Sequence, residues 1–191
     1  MKKIYTLLFL FLPCTLHAYD SAFQPYIGID AGLNIADYAY DIPNDKNYYT
    51  ATINAGARIG GNFGVELYYS ASSTTNAEYI YNYETIDHEI GYSAFGFDIY
   101  AYYGVAADFD FFTTFGIANY QVKNDYEYTN PFITDNAKDT EDNVTTRFGI
   151  GIMFTLPQDK VSILAQYQYS PINTETISTI SDFSVGFRYN F

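Results

Sequence analysis

The chain closes on a strict two-residue alternation. Phe183, Val185, Phe187, Tyr189 and Phe191 are separated by Ser184, Gly186, Arg188 and Asn190. A period of two places successive side chains on opposite faces of a strand. One face is therefore apolar and aromatic, and the other is small or polar. Seven earlier segments repeat the pattern, at about 26–34, 49–60, 63–71, 94–101, 111–118, 144–154 and 161–169. Their apolar faces carry Ile27, Ile29 and Leu33; Tyr49, Ile53 and Ile59; Phe63, Val65 and Leu67; Phe95, Phe97 and Ile99; Phe111, Phe115 and Ile117; Phe148, Ile150 and Ile152; and Val161, Ile163 and Tyr167.

The opposite faces decide which way the sheet is turned. Ten of the thirteen glycines lie there, and the other three are expected at turns or strand ends. Arg58, Arg147 and Arg188 share that face with Asp30, Glu66 and Asp98, while the lysines of the mature chain are expected in loops or turns. A soluble barrel would show the inverse, apolar inside and polar outside. An arginine facing mid-bilayer lipid costs about 2–4 kcal/mol, so the charges belong in a lumen and the Ile, Val, Leu and Phe face against lipid.

Each segment has roughly the nine to eleven residues of a tilted membrane strand. The connections alternate between short turns (60–62, 104–108, 157–160) and long loops (36–48, 73–91, 121–143, 171–181). That sidedness is typical of outer-membrane barrels. An even number of strands closes the sheet, and an open edge in lipid would strand unpaired backbone groups. The expected fold is all-β: a closed eight-stranded antiparallel transmembrane up-and-down β-barrel. Outward Tyr and Phe near the strand ends supply both interfacial girdles without tryptophan.

The N-terminus reads as a cleaved signal peptide. Lys2 and Lys3 precede an apolar run at 4–12 that is too short to span a bilayer as a helix, and Ala18 offers a small residue for cleavage. The expected division is 1–18 signal peptide and 19–191 barrel domain. Cys14 falls in the signal, so the mature chain holds no disulfide and no thiolate site. The formal charge is −13, and losing the two lysines makes it more negative still. A nucleic-acid surface would be basic, so no nucleic-acid partner is expected. No later stretch is apolar for the length of a helical span.

Four runs then resemble the small outer-membrane barrels of the OmpA-type and opacity-protein group. They are Pro25-Tyr26-Ile27-Gly28, Gly64-Val65-Glu66-Leu67, Arg147-Phe148-Gly149-Ile150-Gly151 and Gly186-Phe187-Arg188-Tyr189-Asn190-Phe191. Ser184, Gly186, Tyr189 and Phe191 resemble the C-terminal signal by which such barrels are recognised and inserted by the assembly machinery. The resemblance implies a location in the outer membrane of a Gram-negative-type bacterium, with long loops extracellular and with membrane lipid and lipopolysaccharide as neighbours. The group includes adhesins, host-factor binders, structural barrels and a few lipid A enzymes. No peptidoglycan-binding domain is expected after Phe191, which removes an anchoring role.

Three sets of residues are candidates for function. The first is a lumen charge network of Asp30, Arg58, Glu66, Asp98, Arg147 and Arg188, with Arg58 expected to pair with Glu66 across the 60–62 turn and Asp30 to adjoin Arg188 at closure. The second is an acidic, tyrosine-rich loop crown: Tyr79, Tyr81, Tyr83, Tyr126, Tyr128, Asp139, Glu141 and Asp142. Tyrosine supplies rigid contact area together with a hydrogen bond, which suits a host cell-surface, matrix or serum protein. A plain solvated extension of the strands, with 78–84 prolonging strands three and four, fits the same residues. The third is His88, the only histidine after the signal, expected as an exposed loop residue; no serine stands beside it in a triad-like motif. No cofactor, metal site or catalytic residue is expected. The expected role is a surface adhesin or host-factor ligand. The alternatives, in order, are a structural envelope barrel, a narrow pore and a lipid A-modifying enzyme.

Overall fold

In the computed structural model, residues 23–40, 44–81, 84–129, 134–156 and 160–191 are described; the segment 1–18, expected as a signal peptide, and Tyr83 lie outside them. The elements are β1 (Phe23–Tyr38), β2 (Asn47–Ile59), β3 (Phe63–Ser72), β4 (Thr75–Tyr81), β5 (Glu84–Ala106), β6 (Phe109–Thr129), β7 (Thr134–Thr155), β8 (Val161–Ser170) and β9 (Ile177–Asn190). All pairings are antiparallel. The order β3-β2-β1-β9-β8-β7-β6-β5 is closed into a ring by β3 pairing with β5.

Eight staves therefore make the wall. β4 is a ninth segment because β3 is interrupted. Ala71 pairs with Ser93, but Thr75 pairs with Ile90, so the ladder gains one residue on the β3–β4 side. That offset is a β-bulge, which bends the bulged strand. Beyond it β4 pairs with β5 alone.

The faces divide as the alternation requires. Ile29, Ile53, Phe95, Ile117, Ile150 and Val185 are exposed on the outside, while Glu66, Asp98, Arg147 and Arg188 are buried inside. Glycine makes the narrow interior possible. A side chain at Gly116 would overlap the Asp98 carboxylate, one at Gly186 would overlap Asp30, and one at Gly151 would overlap the Phe112 ring. Gly60 and Gly61 turn the chain between β2 and β3 at positive φ (57° and 77°), where only glycine sits without strain.

Two of the long connections are sheet rather than loop. β5, β6 and β7 run on past the membrane, and with β4 they form a four-stranded extension. The pairing of Glu78 with Asp87 and of Tyr81 with Glu84 makes 78–81 and 84–87 two paired arms that prolong the sheet. Lys123 and Lys138, expected in a loop, lie in β6 and β7, and Gly91, expected at a strand end, lies inside β5.

Candidate functional site

Within the wall, the charges form three tiers. At the end with the short turns, Arg58 grips Asp110 through two nitrogens (2.8 and 3.2 Å) and donates Nε to the Gly61 carbonyl at 2.6 Å. Its guanidinium also lies over the Tyr102 ring at 4.4 Å. The expected Arg58–Glu66 pair is thus replaced. Arg58 sits beside the turn at the level of Asp110, while Glu66 is set deeper, opposite Gly56 and Asp98.

Glu66 is taken by Arg188 from across the lumen, at 2.7 Å, with 3% and 2% of each residue exposed. Tyr26 donates to Glu66 Oε2 at 3.0 Å and Tyr100 to Oε1 at 2.8 Å. Arg188 also donates to the hydroxyls of Tyr100 (2.8 Å) and Tyr102 (3.2 Å). Every polar group of the carboxylate is satisfied, as a buried charge requires. Higher up, Arg147 lies 3.3 Å from Asp98 and 4.1 Å from the centre of the Tyr68 ring, and it donates to Gln168. Asp30 accepts from Asn54 at 2.9 Å; its wall neighbour across β9 is Gly186, and Arg188 pairs with Gly28 one row below. Asp110, Asn54, Gln168 and the tyrosines were missed as partners, although each lies on the inward parity of its strand.

Apolar layers flank the two deeper tiers. Tyr100, Tyr102, Phe112, Met153 and Leu164 pack together toward the short turns. Toward the outside Tyr48, Ile90, Tyr92, Val122, Ile172, Ile177 and Ile180 form a larger core. The lumen cavities hold ≈ 30 Å³ and ≈ 20 Å³. About 10–15 Å³ accommodates one water, so they admit only a few waters.

The crown is built differently. In the β1–β2 connection, buried Asn44 donates to the backbone carbonyls of Thr75 (3.1 Å) and His88 (2.9 Å). His88 is not an exposed loop residue. It is 3% exposed and stacks on Tyr126 with centroids 4.1 Å apart. It alternates with outward Asp87 and Glu89 and so shares the inward face with Ile86 and Ile90. Burial lowers its pKa below the ordinary 6.5, opposed by Asn124 and Asp87.

Of the other crown candidates, Tyr126 and Tyr128 stack on one another's edge of the sheet at 6.2 Å, and Tyr79 and Tyr81 belong to β4. Glu141 accepts from the Thr176 amide at 3.1 Å, the Thr176 hydroxyl, and Asn124 at 3.0 Å, which ties β7 to the approach to β9. Asp139 and Asp142 are exposed. At the C-terminus, Ser184 and Gly186 face the lumen, Tyr189 meets Phe191 edge-on at 5.4 Å, and the Phe191 amide donates to the Pro25 carbonyl at 3.0 Å. Among the described residues no group of three or more His, Cys, Asp or Glu is placed to hold a metal ion.

A closed eight-stranded ring with charges inside, apolar residues outside and connections of unequal length defines a small outer-membrane β-barrel. Consistent with this, the model for the outer membrane protein beta-barrel domain matches residues 6–191, and the chain belongs to that family. It is an outer-membrane protein. Comparison with curated proteins finds no match. Among solved structures, Ail, the attachment invasion locus protein of Yersinia pestis, is similar over 88% of this chain and 97% of its own, at 16% identity and a TM-score of 0.53. Ail has also been solved in complex with the heparin analogue sucrose octasulfate. Neisserial surface protein A is similar over 90% of this chain and 98% of its own, at 11% identity and a TM-score of 0.59. At these identities the likeness is one of fold.

Proposed function

We propose that this barrel is a surface adhesin or host-factor ligand that binds a basic protein segment through its extracellular crown. The observation that carries the reading is the free edge of β7. β8 pairs with β7 only from Phe148 to Thr155, and the 171–176 segment is bonded to Glu141, Asn143 and Thr145, so the edge left with β6 alone is 134–140. An open edge presents unpaired backbone groups to an incoming strand, and extended peptides commonly bind by adding a strand to such an edge. Asp135 and Asp139 are exposed along it, with Lys138 the one cation. A basic extended segment is complementary. The heparin analogue held by Ail is a polyanion, which an acidic edge would repel.

The alternatives draw less support. The filled lumen argues against a narrow pore, and the buried, stacked ring of His88 gives no ground for assigning it a catalytic role. A structural barrel without a ligand is the outcome left if the crown binds nothing. The test is binding of host cells, matrix and serum proteins by bacteria displaying this barrel, against a display-matched version in which 123–140 is cut to a short turn. Binding lost on trimming supports the reading. Equal binding by both versions overturns it.

A further inference from the structure

The charges inside the wall do not balance. Asp30, Glu66, Asp98, Asp110 and Asp182 lie on the inward parity of their strands, against Arg58, Arg147 and Arg188. The arginines take Asp110, Asp98 and Glu66 in turn. Asp30 and Asp182 are left over, and neither makes an ion pair among the described residues. The cations that act on them, Arg188 and Arg147, are the ones already holding Glu66 and Asp98. Two surplus carboxylates inside a low-dielectric lumen need a counter-charge.

The two acids frame one spot. The inward residues of β1 run Asp30, Gly32, Asn34, and across the ladder β9 sets Gly186, Ser184 and Asp182 against them. The Asp30 carboxylate leans over Gly186, and Asp182 Oδ1 lies 3.2 Å from where a side chain at Gly32 would begin. Ser184 stands between the two, with Gln166 of β8 opposite it. Asp30, Asp182, Ser184 and Gln166 all line the lumen cavity of ≈ 20 Å³, together with Thr52 and Ser70.

The atoms left over in this space are acceptors. Asp30 Oδ1, Asp182 Oδ1 and Gln166 Oε1 are buried without a hydrogen-bond partner among the described residues. Gln166 is 8% exposed and Asp30 7%, so bulk water does not serve them. Asn54 occupies the other oxygen of Asp30, and Ser184 and Asn34 approach Asp182. Arg147 and Glu66 also line the cavity, each with its charge already met. A single water offers two donors to these three acceptors and cancels no charge.

Calcium meets both needs. It takes carboxylate, carbonyl and water oxygens in flexible geometry. Magnesium demands a near-ideal octahedron and keeps several waters, which a cavity of about one or two water-sized spheres does not hold. Zinc favours nitrogen and sulfur ligands, which are missing from the lining. We infer that this cavity binds one calcium-class divalent cation through Asp30, Asp182 and Gln166. The inference does not depend on any partner of the crown.

The test refolds the full mature chain into phosphatidylcholine vesicles in calcium chloride, removes free ion by desalting, and counts retained calcium by elemental mass spectrometry. Wild type is expected to keep about one ion per barrel, and calcium is expected to raise its urea midpoint. Asp30→Asn/Asp182→Asn, which keeps shape and removes the surplus charge, is expected to retain roughly tenfold less and to unfold at a midpoint indifferent to calcium. Gln166→Leu, with both acids present, is expected to retain less than wild type. Asp135→Asn/Asp139→Asn on the crown is expected to match wild type, and refolding in magnesium is expected to leave no retained metal. No retention by wild type, accompanied by an infrared band of protonated carboxyl that disappears in Asp30→Asn/Asp182→Asn, would assign the counter-charge to protons and overturn the inference. Equal retention by that variant, retention lost with the crown acids, or equal retention of magnesium would each overturn it as well. The gel shift of the folded barrel identifies a variant that has not folded, and Asp182→Asn alone then replaces the double change with the same expected loss.

Discussion

The lumen and the crown are made from the same strands, yet they use polar side chains in opposite ways. Inside the membrane, Glu66 is met by Arg188 and by tyrosines, and Asp98 by Arg147 and Gln168. Outside it, Asp135 and Asp139 stand exposed beside a strand edge that β8 does not pair with. Low dielectric forces the first arrangement, because an unpaired charge there is costly. Water permits the second, because screening makes an unpaired surface charge cheap. One stave can therefore be scaffold over half its length and recognition element over the rest.

Glu66→Ala should break the comparison most severely. It leaves the Arg188 guanidinium buried without its carboxylate, a loss of about 3–5 kcal/mol, read as a lower urea midpoint for unfolding from vesicles. An unchanged midpoint would mean that the network contributes little. Arg58→Ala should cost less, about 1.5–3 kcal/mol, because the Arg58–Asp110 pair is partly open to solvent (17% and 11% exposed). Asn44→Ala should act locally. Losing both of its hydrogen bonds costs about 1–3 kcal/mol, and amide exchange should speed up at 75–77 and 86–90 while the wall stays protected.

Acid should reach the crown before the wall. The folded pKa of His88 is below 6.5, so its neutral form is favoured by folding. That stabilisation is complete above 6.5 and is lost as the pH falls through the folded value. Faster exchange around His88 on acidification, absent in His88→Phe, would bear this out. Lys138→Ala sets the lower limit. Its pair with Asp125 is exposed, and such pairs contribute little, so no change in the unfolding midpoint is expected.

The wall was legible in the sequence because a two-residue period and the cost of charge in lipid leave one solution. The partners inside it were less so. Arg188 and Glu66 are 122 positions apart, and they meet only because the ring closes. A local reading across the 60–62 turn pointed Glu66 to Arg58 instead. His88 falls in the long 73–91 connection, yet its parity with Ile86 and Ile90 puts it on the inner face. The apolar core of Ile90, Val122, Ile172, Ile177 and Ile180 was hidden for a related reason. These residues come from segments expected as loops, and the larger apolar part of the inner face lies above the membrane, where no lipid imposes the inverse pattern.

The most direct test of the filled lumen is electrical. The full mature chain is inserted into a planar phospholipid bilayer at neutral pH and the current is recorded under an applied voltage. The two deeper ion-paired tiers, held between two apolar layers, predict no discrete conductance steps. Stable, uniform steps from the folded barrel would contradict the account, and would mean that the lumen opens where its side chains are here described as meeting one another.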